Sequence, residues 1–127
     1  MSGRFKMKIV TDFAAAHLLR GYPGPCSRLH GHNWKIEVEV SATRLDEIGM
    51  GMDFRDIKTA TKEVIDQMDH RHLNELPPFD EINPTAENIA AHIYQQLAKK
   101  VNDDRVSVHT VTVWETERAC VSYTEEK

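Results

Sequence analysis

The chain has 127 residues, which predicts one domain over residues 1–127 and enough buried surface for a core without disulfides. Its 40% hydrophobic and 28% charged residues are typical of a folded soluble protein, and a net charge of -4 without a basic run argues against nucleic-acid binding. No apolar stretch approaches the ~18 residues of a membrane span, and residues 1–6 lack an apolar signal core, so we expect a cytoplasmic location and no membrane contact.

Two strands are predicted in the first third of the chain. From Phe5 to His17, apolar or small side chains fall on odd positions with charged residues between them, the period of a strand. Turn-forming residues at 20–25 then predict a loop leading to Cys26. From His32 the alternation returns and runs to Ala42, which makes this the clearest strand of the sequence.

Two helices and a hairpin are predicted in the remainder. Asp53 is a plausible cap for an amphipathic helix that reaches Met68, and cap-like residues at 83–85 precede a second helix ending near Val101. Segments 106–115 and 119–123 predict the hairpin. The order β-β-α-α-β-β predicts an α+β fold, a four-stranded antiparallel sheet with both helices on one face. Its uncovered edges predict self-association.

Seven histidines are the unusual feature of the composition. His30 and His32 share one face of the second predicted strand, about 7 Å apart. His17 ends the first strand on the matching parity, so a hairpin brings three imidazoles together. Three neutral imidazoles without a thiolate pair suit Zn²⁺ with an open fourth position, as in catalytic zinc sites. The alternative is three separate histidines satisfied by local hydrogen bonds.

The two cysteines, at positions 26 and 120, form no Cys-x-x-Cys pair and indicate neither a disulfide framework nor a four-thiolate site. Cys26 precedes His30 by four residues, and cationic neighbours would make its thiol a base or nucleophile. Spacing alone leaves a second alternative, in which Cys26 is a fourth ligand that closes a structural zinc site. Cys120 lies in a short apolar run and is predicted to be a buried core thiol.

Acidic residues and the other histidines offer further chemistry. Asp69 beside His70 suits a proton shuttle, or alternatively a polar helix end. Glu115 ends an apolar strand and needs a partner, either the NH donors of a ligand or Arg118 across the hairpin. Three histidines have no assigned role. His72 lies beside the predicted shuttle, His92 on the polar face of the second helix and His109 in a strand.

Five motifs together resemble the 6-pyruvoyl-tetrahydropterin synthase and 6-carboxytetrahydropterin synthase family. Residues 26–32 match its Cys-x-x-x-His-Gly-His motif, residues 13–17 match the segment of the first metal ligand, and residues 68–74 match its Asp-His segment. Residues 83–88 and 114–116 match two more. The likeness runs in order from about Phe5 to Tyr123.

This resemblance implies a tunnelling fold, in which trimeric barrels stack into a homohexamer with active sites between subunits. It implies 7,8-dihydroneopterin triphosphate as substrate and zinc held by His17, His30 and His32. Metal polarisation would acidify the adjacent C–H bonds of the substrate. The resemblance also implies that Cys26 abstracts the proton, that Asp69 and His70 relay protons, and that Glu115 anchors the pterin ring with help from Thr85.

The short spacing from Cys26 to His30 resembles the bacterial 6-carboxytetrahydropterin synthase branch, which serves queuosine synthesis and releases acetaldehyde and triphosphate. The animal-type 6-pyruvoyl synthase carries a longer insertion there. Arg71 stands where many relatives carry other residues. Two further hypotheses are a non-catalytic zinc-binding oligomeric module and a pterin aldolase on the same fold, which would leave the three histidines unused.

Overall fold

The computed structural model describes residues 3–126. Its five strands and two helices confirm the predicted α+β class, and their bounds in chain order are β1 Phe5–His17, β2 His30–Ala42, α1 Phe54–Ile65, β3 Arg71–His72, α2 Ala86–Val101, β4 Val106–Thr116 and β5 Ala119–Tyr123. Short 3-10 turns cover Pro25–Ser27 and Leu73–Glu75. Within residues 3–126, no helix is long and apolar enough to cross a membrane.

The sheet has the order β3-β1-β2-β4-β5, one strand more than predicted. The β1–β2, β2–β4 and β4–β5 pairs are antiparallel as expected, whereas β3 pairs in parallel with Ala15 and Ala16 of β1. A two-residue strand is too short to show the alternation of period two by which strands are recognised in a sequence. The prediction of four strands was therefore wrong, because it missed this short edge strand.

Both helices pack on one face of the sheet, around one core. In the centre, Trp34, Ile36 and Val38 of β2 have no solvent exposure, and α1 and α2 supply the opposite wall with Ile57 and Leu97. These β2 residues alternate with more exposed Lys35 and Glu37, as the sequence pattern predicts for a half-covered sheet.

Both helices begin at the predicted caps. The Asp53 side chain accepts a hydrogen bond from the Arg55 N–H, and the Thr85 hydroxyl accepts one from the Asn88 N–H, so each satisfies a backbone donor that the first helical turn leaves free. The first helix ends at Ile65, earlier than predicted, and Met68 lies buried in the turns that follow. These turns carry the chain back to the outer edge of β1, where Asp69 and His70 lie.

Candidate metal centre and active site

The antiparallel register of β1 and β2 brings His17, His30 and His32 together. His17 pairs directly with His30, and Ala15 pairs with His32. All three imidazoles therefore project from the helix-covered face, at the same end of the sheet. Their ring centroids lie 4.6–5.1 Å apart. One ligand atom from each lies within 4.8 Å of the others, somewhat wider than the roughly 3.4 Å between two nitrogens bound to one tetrahedral Zn²⁺ ion.

Backbone carbonyls fix two of these rings. His17 Nδ1 lies 2.7 Å from the Pro84 carbonyl oxygen, and His30 Nδ1 lies 2.7 Å from that of Arg28. Because a carbonyl oxygen only accepts, each Nδ1 carries the proton, and the Nε2 of each neutral ring keeps its lone pair. In metal sites, a hydrogen bond from the ring nitrogen that does not bind the metal orients the histidine ligand in this way.

The Nε2 atoms of His17 and His32 are buried and have no hydrogen-bond partner among residues 3–126. Burial lowers the pKa of both imidazoles below the ordinary value, so both favour the neutral form that a metal ion requires. Buried polar atoms are nearly always satisfied, so two unpaired nitrogens in one cluster indicate a ligand that belongs there. Three imidazole donors fit Zn²⁺ with an open coordination position.

Trp34 forms the floor of the histidine cluster. Its ring meets those of His17 and His32 edge-on at centroid distances of 4.9 and 5.0 Å, and its indole N–H donates to the Ala15 carbonyl at 3.3 Å. A fully buried indole with a satisfied N–H leaves little room for the rings to turn toward the core.

Glu115 faces the histidines rather than Arg118. One of its carboxylate oxygens lies 3.8 Å from His17 Nε2, and no ion pair joins it to Arg118 in the part of the chain that the structure describes. Glu115 also lines a cavity of about 340 Å³ with Thr85. This volume falls at the lower end of the roughly 300–1,000 Å³ range of small-molecule sites. The two residues that the resemblance assigns to pterin binding thus share one cavity beside the histidine cluster.

Cys120 lines the same cavity and is exposed, so its prediction as a buried core thiol was wrong. Its partner in the hairpin is Trp114, whose side chain lies on the helix-free face and bonds Glu37. The apolar run at 119–123 lies on an edge strand with one open side, which the sequence pattern does not reveal. Tyr22, from the loop after β1, is a further lining residue that the sequence did not single out.

Cys26 lies at intermediate burial in the 3-10 turn Pro25–Ser27. Its carbonyl accepts a hydrogen bond of 2.8 Å from the Leu19 N–H, which ties the loop to the chain just beyond His17. Among residues 3–126, the group able to hold a metal ion comprises His17, His30 and His32 and does not include the Cys26 thiol. This geometry favours a three-histidine site over a four-ligand one.

Asp69 and His70 form a pair on the outer edge of β1. Asp69 Oδ1 accepts from the Ala14 N–H at 3.0 Å and lies 3.0 Å from His70 Nδ1. The Ala14 N–H and, next, His70 hold the pKa of Asp69 below its usual range. His70 itself adopts a φ of 58°, a left-handed conformation that is uncommon outside glycine, and its side chain is 81% exposed.

No hydrogen bond or ion pair joins Asp69 or His70 to the three-histidine cluster within residues 3–126. Ala14 precedes His17 by three residues, which places the two attachment points roughly 10 Å apart along β1. His70 and His32 nevertheless line one cavity of about 580 Å³, so the predicted proton relay borders the candidate metal site without being bonded to it.

The remaining histidines are not part of the three-histidine cluster. His72 sits in β3 with its Nδ1 3.3 Å from Glu75, and His109 lies 3.0 Å from Glu39 on the helix-free face. His92 was predicted on the polar face of α2, but its ring packs against Phe79 at 5.3 Å, and burial, then Lys99, lowers its pKa. The residues at 76–79 form irregular turns that cover this side of α2, a packing that helical periodicity cannot foresee.

Comparison with known protein families gives a match over most of the chain. The model of the family "PTPS: 6-pyruvoyl tetrahydropterin synthase" matches residues 6–126. The chain therefore belongs to the 6-pyruvoyl tetrahydropterin synthase family, and its α+β architecture is the tunnelling fold expected from the motifs.

Relatives in this family carry two names. A Haemophilus influenzae protein named 6-carboxy-5,6,7,8-tetrahydropterin synthase is 32% identical, with 95% of this chain and 99% of that protein covered. A Dictyostelium discoideum protein named 6-pyruvoyl tetrahydrobiopterin synthase is 35% identical over 81% of this chain and 76% of its own length. The solved structure of Caenorhabditis elegans 6-pyruvoyl tetrahydropterin synthase superposes with a TM-score of 0.87 at 26% identity, covering 98% of both chains.

Proposed function

We propose that the protein is a zinc-dependent lyase that converts 7,8-dihydroneopterin triphosphate and one water molecule to 6-carboxy-5,6,7,8-tetrahydropterin, acetaldehyde and triphosphate. The observation that carries the proposal is the three-histidine cluster, with two buried unpaired Nε2 atoms, directly beside the cavity of Glu115 and Thr85. The family membership supplies the substrate class, and the name of the Haemophilus influenzae relative supports this product.

Each site residue has a role in this proposal. His17, His30 and His32 hold the zinc ion, which when bound polarises the side-chain oxygens of the substrate and acidifies the adjacent C–H bonds. Glu115 accepts hydrogen bonds from the ring NH groups of the pterin, and Thr85 assists at the same cavity wall. Cys26, as thiolate, takes the proton, and Asp69 with His70 returns it. The low pKa of Asp69 keeps its carboxylate ionised and able to orient the His70 imidazole.

We also propose that the active protein is a cytoplasmic homohexamer of two stacked trimers, within a queuosine or other deazapurine pathway. The outer edge of β1 supports self-association: β3 pairs with Ala15 and Ala16, Asp69 and His70 bond the Ala14 backbone, and positions 5–13 have no strand partner on that edge in the described chain. Edge-to-edge joining of sheets would satisfy those backbone groups.

The product assay is the direct test. Incubation with 7,8-dihydroneopterin triphosphate should give 6-carboxytetrahydropterin and acetaldehyde in equal amounts. The second candidate is 6-pyruvoyl-tetrahydropterin synthesis, which the Dictyostelium discoideum relative favours; formation of 6-pyruvoyltetrahydropterin as the sole product would establish it instead. Turnover that survived complete chelation of the metal would favour a pterin aldolase.

A cysteine variant separates an enzyme from a non-catalytic zinc module. Cys26→Ala should keep about one zinc per chain and lose turnover by at least roughly 10²-fold, the usual contribution of a general base. The matched control is Ser27→Ala, which removes an exposed hydroxyl bonded to the Gly24 carbonyl in the same loop. This variant should keep both the zinc and the turnover. Loss of zinc from Cys26→Ala would instead support a closed four-ligand site.

A further inference from the structure

Two asparagine side chains bind the backbone segment that directly follows His17. Asn74 Oδ1 accepts from the Leu18 N–H at 3.0 Å, and Asn74 Nδ2 donates to the Leu18 carbonyl at 3.0 Å. Asn83 does the same for Arg20, with distances of 2.9 and 2.8 Å. Each amide therefore satisfies both backbone groups of one residue, as a neighbouring strand would.

The opposite edge of this segment contacts the cysteine loop. Between Leu18 and Arg20, the Leu19 N–H points the other way and donates to the Cys26 carbonyl at 2.8 Å. Residues 18–20 thus continue the alternating hydrogen bonds of β1 past its end. One edge is held by the two asparagines and the other reaches the loop of the candidate catalytic thiol.

The supporting asparagines are themselves fixed. Asn74 follows Leu73, a fully buried core residue, in the turn after β3. The Asn83 carbonyl accepts from Asn88 Nδ2 at 2.8 Å, and the next residue, Pro84, supplies the carbonyl that binds His17 Nδ1. The segment that clamps Arg20 is therefore the same segment that orients the His17 imidazole.

We propose that Asn74 and Asn83 are positioning residues that hold His17 and the Cys26 loop in one fixed arrangement. The proposal rests on the proposed function, because it concerns the same metal site and thiol. Both asparagines use the amide as donor and acceptor together, which only Asn and Gln side chains provide in this form. A carboxylate at either position keeps the acceptor but sets a negative oxygen against the Leu18 or Arg20 carbonyl.

The test compares Asn74→Asp and Asn83→Asp with Asn102→Asp. Asn102 is the matched control because it lies at the C-terminal end of α2, where its Oδ1 accepts from the Val108 N–H at 2.8 Å, a bond that aspartate preserves, and its Nδ2 donates no hydrogen bond within residues 3–126. Zinc affinity is measured by competition with a chromogenic chelator, and thermal unfolding is recorded for each variant. Asn74→Ala and Asn83→Ala, which remove the amide without adding charge, serve where an aspartate variant does not fold.

The Asn74 and Asn83 variants, called clamp variants below, should bind zinc about 10- to 100-fold more weakly, the usual effect of losing a group that supports a metal ligand, while Asn102→Asp matches the wild type. The rate at which iodoacetamide alkylates Cys26, measured in a Cys120→Ser background, should change severalfold in the clamp variants alone. Folded clamp variants with wild-type zinc affinity and alkylation rate would overturn the proposal. A wild-type protein that bound no zinc would contradict the proposed function instead. The alkylation rates would then still show whether Asn74 and Asn83 position the Cys26 loop.

Discussion

The imidazole of His17 is fully buried at the end of β1, with Nδ1 held by the Pro84 carbonyl and Nε2 without a hydrogen-bond partner among residues 3–126. Burying a polar atom without a partner costs folding free energy, so this nitrogen is a local source of instability in the metal-free chain. Because burial also lowers the pKa of His17, the ring stays neutral at pH values where an exposed histidine is half-protonated. The same burial that is unfavourable for folding therefore prepares the nitrogen to bind a metal ion.

His92 has a lowered pKa but lies at the other side of the molecule, against Phe79 and beside the cis Pro77–Pro78 segment. Its unfolded-state pKa is 6.5 and its folded-state pKa is lower. In the interval between the two values the unfolded chain binds more protons than the folded one. The contribution of the neutral, buried His92 to the free energy of unfolding is therefore fully present above pH 6.5 and decreases as the pH drops through this interval.

Replacing His92 with leucine should flatten this pH dependence. The wild-type melting temperature is expected to fall between pH 7.5 and pH 5.5, and His92→Leu should show a smaller fall because one proton-linked group has been removed. Thermal unfolding of both metal-free proteins across this range gives the comparison. Since His17 and His32 titrate in both proteins, the difference between the two curves reports His92. Parallel curves would contradict the assignment.

At the scale of elements, both helices start with a side-chain cap, but only one cap borders the candidate cavity. Thr85 caps α2 through the Asn88 N–H at 3.1 Å and also lines the cavity with Glu115. Asp53 caps α1 through the Arg55 N–H at 2.8 Å and lines none of the cavities near the histidines. Comparing Thr85 with Asp53 therefore separates the effect of losing a helix cap from the effect of losing a substrate contact.

Thr85→Ala and Asp53→Ala should each destabilise the fold by about 1 kcal/mol, the usual cost of losing a cap. That loss lowers the melting temperature by roughly 3–5 °C for a chain of this size. Only Thr85→Ala should also raise KM for the pterin substrate, and Thr85→Ser, which keeps the hydroxyl, should restore both properties. Equal KM values for the two alanine variants would limit Thr85 to helix capping.

At the scale of the whole molecule, the sequence predicted every element whose residues repeat over at least two periods. Strands β1 and β2 alternate along a sheet with one covered face, and α1 and α2 repeat apolar residues toward that face, so pattern and position agree. Because His17, His30 and His32 share the parity of the core residues, their convergence followed from the same alternation. A histidine cluster at the end of a hairpin can therefore be predicted from the sequence when both strands alternate regularly.

The features that escaped prediction depend on backbone groups or on distant packing. Strand β3 exists because Asp69 and His70 attach to Ala14, and the Pro84 carbonyl that orients His17 has no side-chain signature. Cys120 is exposed because β5 is an edge strand, a fact of sheet order rather than of local sequence. Asn74 and Asn83 lie within recognised motifs, but their shared role appears only when residues 18–20 are seen between them.

The attachment of Asp69 and His70 to the outer edge of β1 bears on assembly. Within one chain the pair attaches to the outer edge of β1 at Ala14, while Cys26 is tied to the segment beyond His17. We expect the active sites to lie between subunits, so that the Cys26 and the His70 of one site come from different chains. The open edge of β1 and the 81% exposure of the His70 side chain place the relay where a neighbouring subunit can meet it.

Complementation between two inactive variants tests this arrangement. Cys26→Ala and His70→Ala should each lack turnover as homo-oligomers, yet co-expression should restore activity, because some mixed interfaces combine an intact Cys26 with an intact His70. Random mixing at equal amounts gives about one quarter of sites with both groups when each site draws on two subunits. Sedimentation analysis of both variants should show the wild-type oligomer, so that loss of assembly does not explain inactivity. Mixed oligomers that stay inactive would place the two residues in a site formed by a single chain.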